Sequence, residues 1–372
     1  MTFLSRVRNL LRRPLSFAES VDFGAPDVAA DPFGAWETLR EQREVHHLPR
    51  SGGWFVLSHG AVKQAFARPD IFSNAPYRDI DAVLLGEDPP KQAAARRLVS
   101  RHFTPDRLPR LEEVARDAAR AAISPAFDAV GDFAQPVSRT VAARLIGFDT
   151  GTMAELEAAL KAVADQPVPV LIAALDAFAS RAAVYPQLLK DGGGSIGEAE
   201  ARSLVRLLWL ASTTTTERVI ARCVLHLAQT PVLRDRVASD PGLLPALVEE
   251  VMRLHPPEHV VPRLCLEDIE LGGTHIPARS AVFLCVGAAN RDPAVFDSPG
   301  EVRLDRAAKR HFAFGGGIHH CVGAPLARRV VVAAIEELLD AAPALRLAHP
   351  SEPIPMFASL TAFAPVRVEV AA

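Results

Sequence analysis

The feature that most limits the possible folds of this chain is a long run of helical periodicity over residues 195–229. Apolar residues recur there at helical spacing, and Thr230 and Pro231 stop the pattern. Ser195 and Glu198 have the spacing of a capping box, so we expect the helix to begin at Ser195. A rod of this length measures roughly 50 Å, which is unusual in a globular protein. The chain is therefore predicted to be organised around one central helix.

Most of the remaining chain is also predicted to be helical, with short strands in a few places. Helical periodicity covers residues 31–43, 59–67, 96–103, 107–130, 137–146, 241–254 and 324–341. Strand patterns cover residues 53–58, short runs within 260–285 around a turn at Gly272 and Gly273, and residues 366–370. Residues 290–309 are rich in turn formers. We expect one mostly α-helical domain with small β-sheets over residues 21–372, preceded by a basic arm over residues 1–20.

Bulk composition argues against several classes of protein. The 372 residues carry a net charge of -3, which gives no reason to expect binding to nucleic acid or to an anionic membrane. No uncharged apolar run reaches about 18 residues, so no spanning helix is expected. Cys223, Cys265 and Cys285 lie among apolar residues and are expected to be buried thiols, and no CxxC pair suggests zinc or a redox dithiol. This cysteine usage fits a reducing, cytoplasmic setting.

The fourth cysteine, Cys321, stands in a different environment. Three consecutive glycines, residues 315–317, precede it, and a predicted helix begins just after it. Glycines allow positive φ and a close approach of the backbone to a flat ligand. A cysteine at a helix N-terminus faces free N–H groups and the positive end of the dipole, and both favour the thiolate. A thiolate is the ligand that an iron centre built for O–O cleavage needs.

This segment resembles the haem-binding signature of the cytochrome P450 superfamily. The defining positions of that signature are filled by Phe314, Gly315, Gly317, His319, Cys321 and Gly323. The resemblance extends from Asp31 to the C-terminus. It implies a soluble bacterial haem-thiolate monooxygenase in which the long helix of a triangular helical prism lies over the haem. Haem b would be bound through Cys321 as the axial ligand, with Phe314 and Gly315 against the cofactor.

Two other segments carry the same resemblance. Glu250 and Arg253 look like the ExxR pair of the family, whose i, i+3 spacing places both side chains on one helix face. In the family this pair is structural and supports the cysteine loop. Residues 88–96 look like the family's helix that contributes a polar side chain and an arginine to the haem. The resemblance implies that the haem propionates are held by Gln92, Arg96, Arg263 and His319. Buried carboxylates need such charged, hydrogen-bonding partners.

The centre of the long helix departs from the family pattern. Thr215 stands where the family has its oxygen-activating threonine, but Thr214 replaces the usual acid and Ser212 a usual glycine. A threonine hydroxyl supplies no titrating proton and can only pass one along. Three alternatives stay open. In the first, Thr214 and Thr215 relay protons together with water. In the second, Glu217 substitutes for the acid. In the third, the enzyme uses peroxide or performs a different oxidation. The threonine run could also simply bend the helix, because its hydroxyls can bond to the preceding turn.

Three smaller departures concern the surroundings of the site. Glu301 stands where an arginine commonly completes a triad with the ExxR pair, so we expect Glu301 to pair with Arg253 or to point away. Arg279 stands where the family usually has a glycine in a turn. The family's lid over the substrate channel comes from the segment that residues 147–195 form in this chain. This segment is short here, which suggests a more open entrance to the channel.

The predicted substrate surface is apolar. It consists of Leu207, Leu210, Ala211, Val260 and Val261, with Thr214 and Thr215 beside them, and residues 74–85 and 167–180 add to its wall. Few polar anchors interrupt it, so we expect a small to medium hydrophobic substrate of terpenoid, fatty or aromatic type.

An electron-donating partner is needed because the chain has no flavin or iron–sulfur motif. A basic surface around the cysteine loop would attract an acidic ferredoxin or flavodoxin. Its expected members are Arg97, Arg101, Arg328 and Arg329.

Three hypotheses about function follow. The first is a reductase-dependent monooxygenase that uses O2. The second is a haem-thiolate enzyme of other chemistry, such as peroxide-driven oxidation, coupling or isomerisation, and the replacement of the acid by Thr214 favours it. The third is a haem sensor or carrier without enzymatic activity.

Overall fold

A computed structural model describes residues 17–23, 25, 28, 31–78, 83–164, 166–307, 310–348 and 366–370 of the chain. Its helices are α1 (Phe17–Ser20), α2 (Phe33–Gln42), α3 (His59–Phe66), α4 (Lys91–Ser100), α5 (Leu108–Ala122), α6 (Gln135–Ile146), α7 (Thr150–Ala162), α8 (Val168–Ala179), α9 (Val184–Gly192), α10 (Glu198–Gln229), α11 (Pro231–Ser239), α12 (Leu244–Leu254), α13 (Val286–Ala289) and α14 (Ala324–Ala341). Most of the predicted basic arm lies outside the described residues.

The strands are short and form three small sheets. They are β1 (Val45–Leu48), β2 (Gly53–Val56), β3 (Phe72–Ser73), β4 (Ala126–Asp128), β5 (Val261–Cys265), β6 (Ile269–Leu271), β7 (Thr274–Ile276), β8 (Ala281–Leu284), β9 (Leu345–Leu347) and β10 (Arg367–Val370). The largest sheet has the order β1-β2-β8-β5-β3, in which only the β2–β8 pair is parallel, and a second has the order β4-β10-β9. Strands β6 and β7 form a hairpin whose turn contains Gly272 and Gly273, both with positive φ, as the sequence predicts.

Arg279 occupies a strained position between β7 and β8. Its φ is +62°, in the left-handed region where a side chain is unfavourable, and its backbone N–H donates to the carbonyl of Cys265 at 2.7 Å. The hydrogen bond holds the turn in this conformation. The family's usual glycine at this position would adopt it without strain.

The long helix α10 is present and ends at Gln229, as predicted. Its expected start is wrong, because the Ser195 hydroxyl donates back to the carbonyl of Gly192 at 2.5 Å instead of capping the helix. Gly197 is the residue before the helix, and its N–H donates to the Glu200 carboxylate at 2.6 Å. The capping interaction therefore lies two residues later than the sequence pattern indicates.

The predicted helix over residues 107–130 is also wrong in its second half. Helix α5 ends at Ala122, and Ile123 is extended with φ −77° and ψ 129°. Pro125 follows shortly and disfavours a helical conformation at the residue before it. The chain then forms β4, which pairs with the C-terminal strand β10, before a wide turn at 129–134 leads into α6.

Helix α10 lies in the main hydrophobic core, where it packs against α6 and α14. Its buried side chains include Leu204, Leu208, Ile220 and Val224. Helices α7, α8 and α9 occupy residues 147–195, and α8 packs against both α7 and α10. None of the helices in the described part of the chain has the length and apolarity needed to cross a bilayer.

Three imidazoles cluster near the C-terminal end of α10. The His226 and His255 rings lie 5.2 Å apart, and His259 stacks on Trp36 at 6.2 Å. Burial lowers the pKa of all three, that of His226 to about 4, and the charges of Arg222 and Arg291 lower them further. These histidines are therefore neutral at neutral pH.

Candidate functional site

Glycines fix the shape of the loop before Cys321. Gly315 and Gly317 have φ values of +68° and +62°, in the region that favours glycine. A Cβ on Gly317 would clash with the backbone carbonyl of Phe66, and one on Gly316 would lie 2.8 Å from the Phe66 ring. The loop is thus pressed against the end of α3. Its glycines serve this contact with the protein, which the sequence pattern did not indicate.

Cys321 lies between this loop and the start of α14, as predicted. Its N–H donates to the carbonyl of Phe314 at 2.9 Å, and the residue is exposed, whereas Cys223, Cys265 and Cys285 are buried as expected. The protein that surrounds the thiol raises the pKa of Cys321. The N–H groups of Gly323 and Ala324 and the charges of Arg96 and Arg328 oppose this rise. The helix terminus therefore acts on the thiol in the predicted direction.

Basic groups lie beside the cysteine. His319 has a buried Nε2 atom with no hydrogen-bond partner among the described residues. Burial and the charges of Arg263 and Arg96 together lower the pKa of His319 to about 4, so both arginines lie near this ring. Arg263 is buried, and its guanidinium lies 5.5 Å from the Phe66 ring centroid. Two guanidinium groups and an unsatisfied imidazole nitrogen can bind an anion such as a carboxylate.

Other residues that the resemblance places against the cofactor also contact neighbouring residues of the protein. Gln92 is buried and its Nε2 donates to the carbonyl of Ile318 at 3.0 Å, so the structure places Gln92 as a brace for the cysteine loop. The amide carries two N–H groups, so this bond leaves one for the expected bond to a propionate. Phe314 lies under the guanidinium of Arg328, 4.3 Å from the ring centroid. Gly315 has open space at its Cβ position, with the carbonyl of His319 nearest at 3.8 Å.

The ExxR pair is buried and bidentate. Arg253 donates to the two carboxylate oxygens of Glu250 at 2.8 and 2.9 Å, and Arg253 is 1% exposed. Of the two expectations for Glu301, pairing of its carboxylate with Arg253 is wrong, because the backbone carbonyl accepts from Arg253 at 2.9 Å, and the residue is exposed, which agrees with a side chain that points away. The third member of the triad is Arg306, whose Nε lies 3.0 Å from both oxygens of Glu250. The N–H of Arg303 adds a further bond to Glu250 at 3.0 Å.

One face of α10 is accessible although the helix passes through the core. Ala211 is exposed, and Leu207, Thr214 and Thr215 are half-buried. At about 100° per residue, Thr214, Thr215 and Arg218 all lie within roughly 60° of Ala211 on this face. Of the other predicted pocket residues, Leu210 is 8% exposed, and Val260 and Val261 at the start of β5 are half-buried.

The threonine hydroxyls are bonded to the helix itself. Thr213, Thr214 and Thr215 donate to the carbonyls four residues earlier at 2.9, 2.9 and 2.7 Å, and the helix continues through them. Each hydroxyl proton is therefore engaged, and the oxygen keeps its acceptor capacity. Glu217 is buried among groups that include Arg139 and Gln135 of α6, and burial raises its pKa to about 7. It faces α6, away from the accessible face.

Most of the predicted basic surface is paired with carboxylates. Arg101 lies 3.0 Å from Asp191, and Arg329 lies 2.7 Å from Glu112. Arg328 makes a bidentate pair with Glu249 at 2.6 and 3.0 Å. Arg97 is exposed. The net attraction for an acidic partner is therefore smaller than the count of arginines suggests.

Two charged residues on the accessible side were missed in the sequence. Arg218 follows Thr215 on the same helix face, and its Nη1 atom lies 3.7 Å from a carboxylate oxygen of Glu258. The sequence does contain an indication for Glu258, because an acid so close to the predicted pocket residues Val260 and Val261 is unusual on an apolar wall. Arg306 gave no such signal, since it lies in an irregular segment.

An accessible thiolate-forming cysteine beside basic groups suited to carboxylates fits an iron porphyrin, and the long helix provides a surface for a second ligand. This combination defines the class of haem-thiolate proteins. The sequence model of the family described as Cytochrome P450 matches residues 242–341. The chain is 32% identical over 365 residues to cytochrome P450 144 of Mycobacterium tuberculosis, which covers 86% of this chain and 84% of the relative. The chain belongs to the cytochrome P450 family, and its cofactor is the haem-thiolate iron of that family.

Further relatives agree with this assignment. Erythromycin C-12 hydroxylase of Saccharopolyspora erythraea is 32% identical over 340 residues, which covers 81% of this chain and 85% of the relative. The solved structure of the cytochrome P450 enzyme CYP109B1 from Bacillus subtilis matches with a TM-score of 0.79 at 26% identity and covers 92% of this chain and 100% of that one. The predicted fold class, a mostly helical cytochrome P450 fold with small sheets, is confirmed.

Proposed function

We propose that this P450-type oxygenase inserts one atom of O2 into a small to medium hydrophobic substrate, with electrons from a separate ferredoxin or flavodoxin type protein. The observation that carries the proposal is the accessible face of α10, where the exposed Ala211 lies beside the apolar residues Leu207 and Leu210. The overall reaction is RH + O2 + 2e⁻ + 2H⁺ → ROH + H2O. It requires an apolar binding surface and a supply of protons in addition to the redox centre.

The residues of this chain would divide the work as follows. Haem supplies the iron at which O2 is activated, and thiolate ligation favours O–O cleavage. Cys321 is proposed as the axial ligand because the other three cysteines are buried. Arg96, Arg263 and His319 would neutralise the propionates, since the Nε2 atom of His319 has no partner among the described residues.

The apolar residues of the predicted pocket would bind the substrate and exclude water. Burial of apolar surface gives affinity without fixing the orientation of the substrate. Thr215 and Thr214 would orient polar groups through their oxygen lone pairs, because their protons are engaged with Ala211 and Leu210. The printed name of one relative, erythromycin C-12 hydroxylase, suggests that macrolides be tested beside terpenoid, fatty and aromatic compounds. We also propose that the enzyme works in the cytoplasm, which its unpaired cysteines suit.

A second candidate function is haem-thiolate chemistry that does not use O2 and a donor protein. The observation that favours it is the engagement of all three hydroxyl protons by the helix, together with Thr214 in place of an acid. Peroxide already carries both electrons and both protons that the other route must supply separately. Such an enzyme would tolerate the loss of the usual acid.

Turnover with two oxidant systems separates these functions. A substrate is first chosen from a diverse apolar library by its shift of the haem spin state. Product is then measured with NADH, ferredoxin, ferredoxin reductase and O2, and in parallel with hydrogen peroxide alone. We expect product with the first system. Product with hydrogen peroxide but none with the NADH system would refute the proposed function and establish the second candidate. A haem sensor or carrier would give neither a spin shift nor product.

A further inference from the structure

An acid borders the accessible side of α10. Glu258 follows Pro256 and Pro257 and lies just before Val260 and Val261, the apolar residues at the start of β5. Its side chain is 53% exposed, yet the surrounding protein raises the pKa of its carboxyl group. Glu258 is therefore an acid with an accessible side chain, close in the chain to the apolar residues of the predicted pocket.

Arg218 connects this acid to the helix. It lies three residues after Thr215, on the same face of α10 as Ala211. Its Nη1 atom lies 3.7 Å from Oε1 of Glu258 and donates to the carbonyl of Pro257 at 2.9 Å. The Arg218 side chain is 12% exposed, so it is held largely within the protein. Arg218 therefore connects the segment that carries Glu258 to the face of α10 that carries the threonines.

We propose that Glu258 is the proton donor for O2 reduction in this enzyme, in place of the acid that Thr214 replaces, and that Arg218 is its positioning residue. The inference rests on the proposed monooxygenase function. It answers the question that the sequence leaves open, namely how protons are supplied without an acid on the long helix. The acid comes instead from the segment between α12 and β5.

The proton balance is straightforward. The reaction consumes two protons and two electrons for each O2, with electrons from the one-electron donor protein and one oxygen atom released as water. Glu258 gives a proton from its carboxyl O–H, becomes a carboxylate, and is reprotonated from solvent through its exposed side before the second transfer. A carboxyl group suits this role because it titrates, whereas a threonine hydroxyl does not. The hydroxyl oxygens of Thr214 and Thr215 can accept hydrogen bonds along the way.

The other acid near the threonines is less suited. Glu217 is buried and has Arg139 and Gln135 of α6 among its neighbours. Its proton would have to leave on the far side of α10. Opposing effects act on Glu258, because burial raises the pKa of its carboxyl group while the charge of Arg218 lowers it. The ion pair with Arg218 gives the carboxylate form a partner, and the exposed side chain gives the group contact with solvent.

The first test measures the carboxyl group directly and does not depend on turnover. Infrared difference spectra of the resting holoenzyme are recorded as a function of pH, and the C=O stretch of a protonated carboxyl group is followed. We expect a band that Glu258→Gln removes and whose midpoint Arg218→Leu moves to higher pH. The exposed Glu267→Gln serves as the matched control and should leave this band unchanged. If Glu258→Gln leaves every titrating band in place, the proposal is wrong.

The second test measures the coupling of NADH oxidation to product. Glu258→Gln is expected to lower product per NADH by about tenfold and to release peroxide instead, which is less than the typical general acid effect of about 10²–10⁴-fold because water still supplies some protons. Substrate affinity from the spin shift should not change, Glu258→Asp should restore part of the coupling, and added formate should partly rescue Glu258→Ala. Glu267→Gln should behave like the wild type.

The possible failures are distinguishable. Wild-type coupling in Glu258→Gln would refute the assignment of Glu258 while leaving the monooxygenase function intact. Unchanged coupling together with weaker binding of cationic substrates would identify Glu258 as a substrate anchor and would also refute the assignment. If the wild type makes product with hydrogen peroxide but none with the NADH system, the proposed function fails, and the role of Glu258 in O2 reduction fails with it.

Discussion

Arg306 offers a sharp test of how the ExxR pair is supported, because the sequence and the structure assign the third member of the triad differently. The resemblance places that member at position 301, where this chain has Glu301. In the structure Arg306 takes the role, with Nε 3.0 Å from both oxygens of Glu250. Its guanidinium also donates to the carbonyls of Asp297, Ser298 and Glu301. We predict that Arg306→Gln destabilises the protein and that Glu301→Ala does not.

The magnitude follows from what each change removes. The side chains of Arg306 and Glu250 are 9% and 7% exposed, so their contact is poorly screened by solvent. A hydrogen bond to a charged group contributes about 1.5–3 kcal/mol. Complete loss of the partner of a buried charge costs about 3–5 kcal/mol, but Glu250 keeps Arg253 and the N–H of Arg303. We therefore expect Arg306→Gln to lower the free energy of unfolding by about 2–3 kcal/mol.

Glu301→Ala should change the free energy of unfolding by less than about 0.5 kcal/mol, because the Glu301 side chain is exposed and only its backbone carbonyl is used. The assay is urea unfolding of the holoenzyme, followed by far-ultraviolet circular dichroism and by the Soret band in parallel. An unchanged slope with a lower midpoint would indicate lost stability rather than a changed unfolded state. Equal effects of the two substitutions, or a larger effect of Glu301→Ala, would refute the assignment of Arg306.

Three further predictions concern the thiol, the strained turn and the buried imidazoles. Cys321→Ser should abolish the red-shifted Soret band of the reduced carbon monoxide complex, and a normal thiolate spectrum in that variant would show that the ligand is assigned wrongly. Arg279→Gly should raise the free energy of unfolding by about 0.5–1 kcal/mol, because relief of left-handed strain of about 1–2 kcal/mol exceeds the backbone entropy cost of glycine, and urea unfolding would measure it. For His226, burial lowers the pKa to about 4 against an unfolded value of about 6.5, so the unfolded chain binds the extra proton between these values. Its contribution to the free energy of unfolding, about 3 kcal/mol, is fully present above about pH 6.5 and is lost as the pH falls towards 4. His226→Gln should flatten this part of the curve of unfolding free energy against pH. An equally steep curve in that variant would contradict the assignment.

Elements with strong periodicity were predictable from the sequence. Helix α14 has the expected bounds, Ala324–Ala341, and α10 ends at Gln229 as expected. The errors at the start of α10 and the end of α5 arose because another contact competed with the predicted helix. The hydroxyl of Ser195 bonds to the carbonyl of Gly192 in the preceding turn, and this bond removes the cap that the spacing suggested. Pairing of β4 with β10 draws residues 126–128 out of the predicted helix, and that contact depends on the far end of the chain.

How far apart the partners lie in the sequence decided which parts of the candidate site could be predicted. The ExxR pair is visible because its partners lie three residues apart on one helix. The bond between Arg306 and Glu250 joins residues 56 apart through an irregular segment, so no periodic pattern marks it. Gln92 shows a further limit, because the sequence gives a donor near the site but does not say whether it binds the cofactor or the carbonyl of Ile318.

The contact of the glycine loop with Phe66 determines which substitutions evolution can accept there. At Gly315 only the backbone conformation is demanding, and asparagine, which tolerates the left-handed region, is an acceptable replacement. At Gly316 the obstacle is the Phe66 ring, so a smaller residue at position 66 could compensate for a larger one in the loop. At Gly317 the obstacle is the backbone carbonyl of Phe66, which every residue at that position carries. No second-site change of side chain can relieve it, and among related sequences position 317 should therefore be closed to variation while positions 315 and 316 are not.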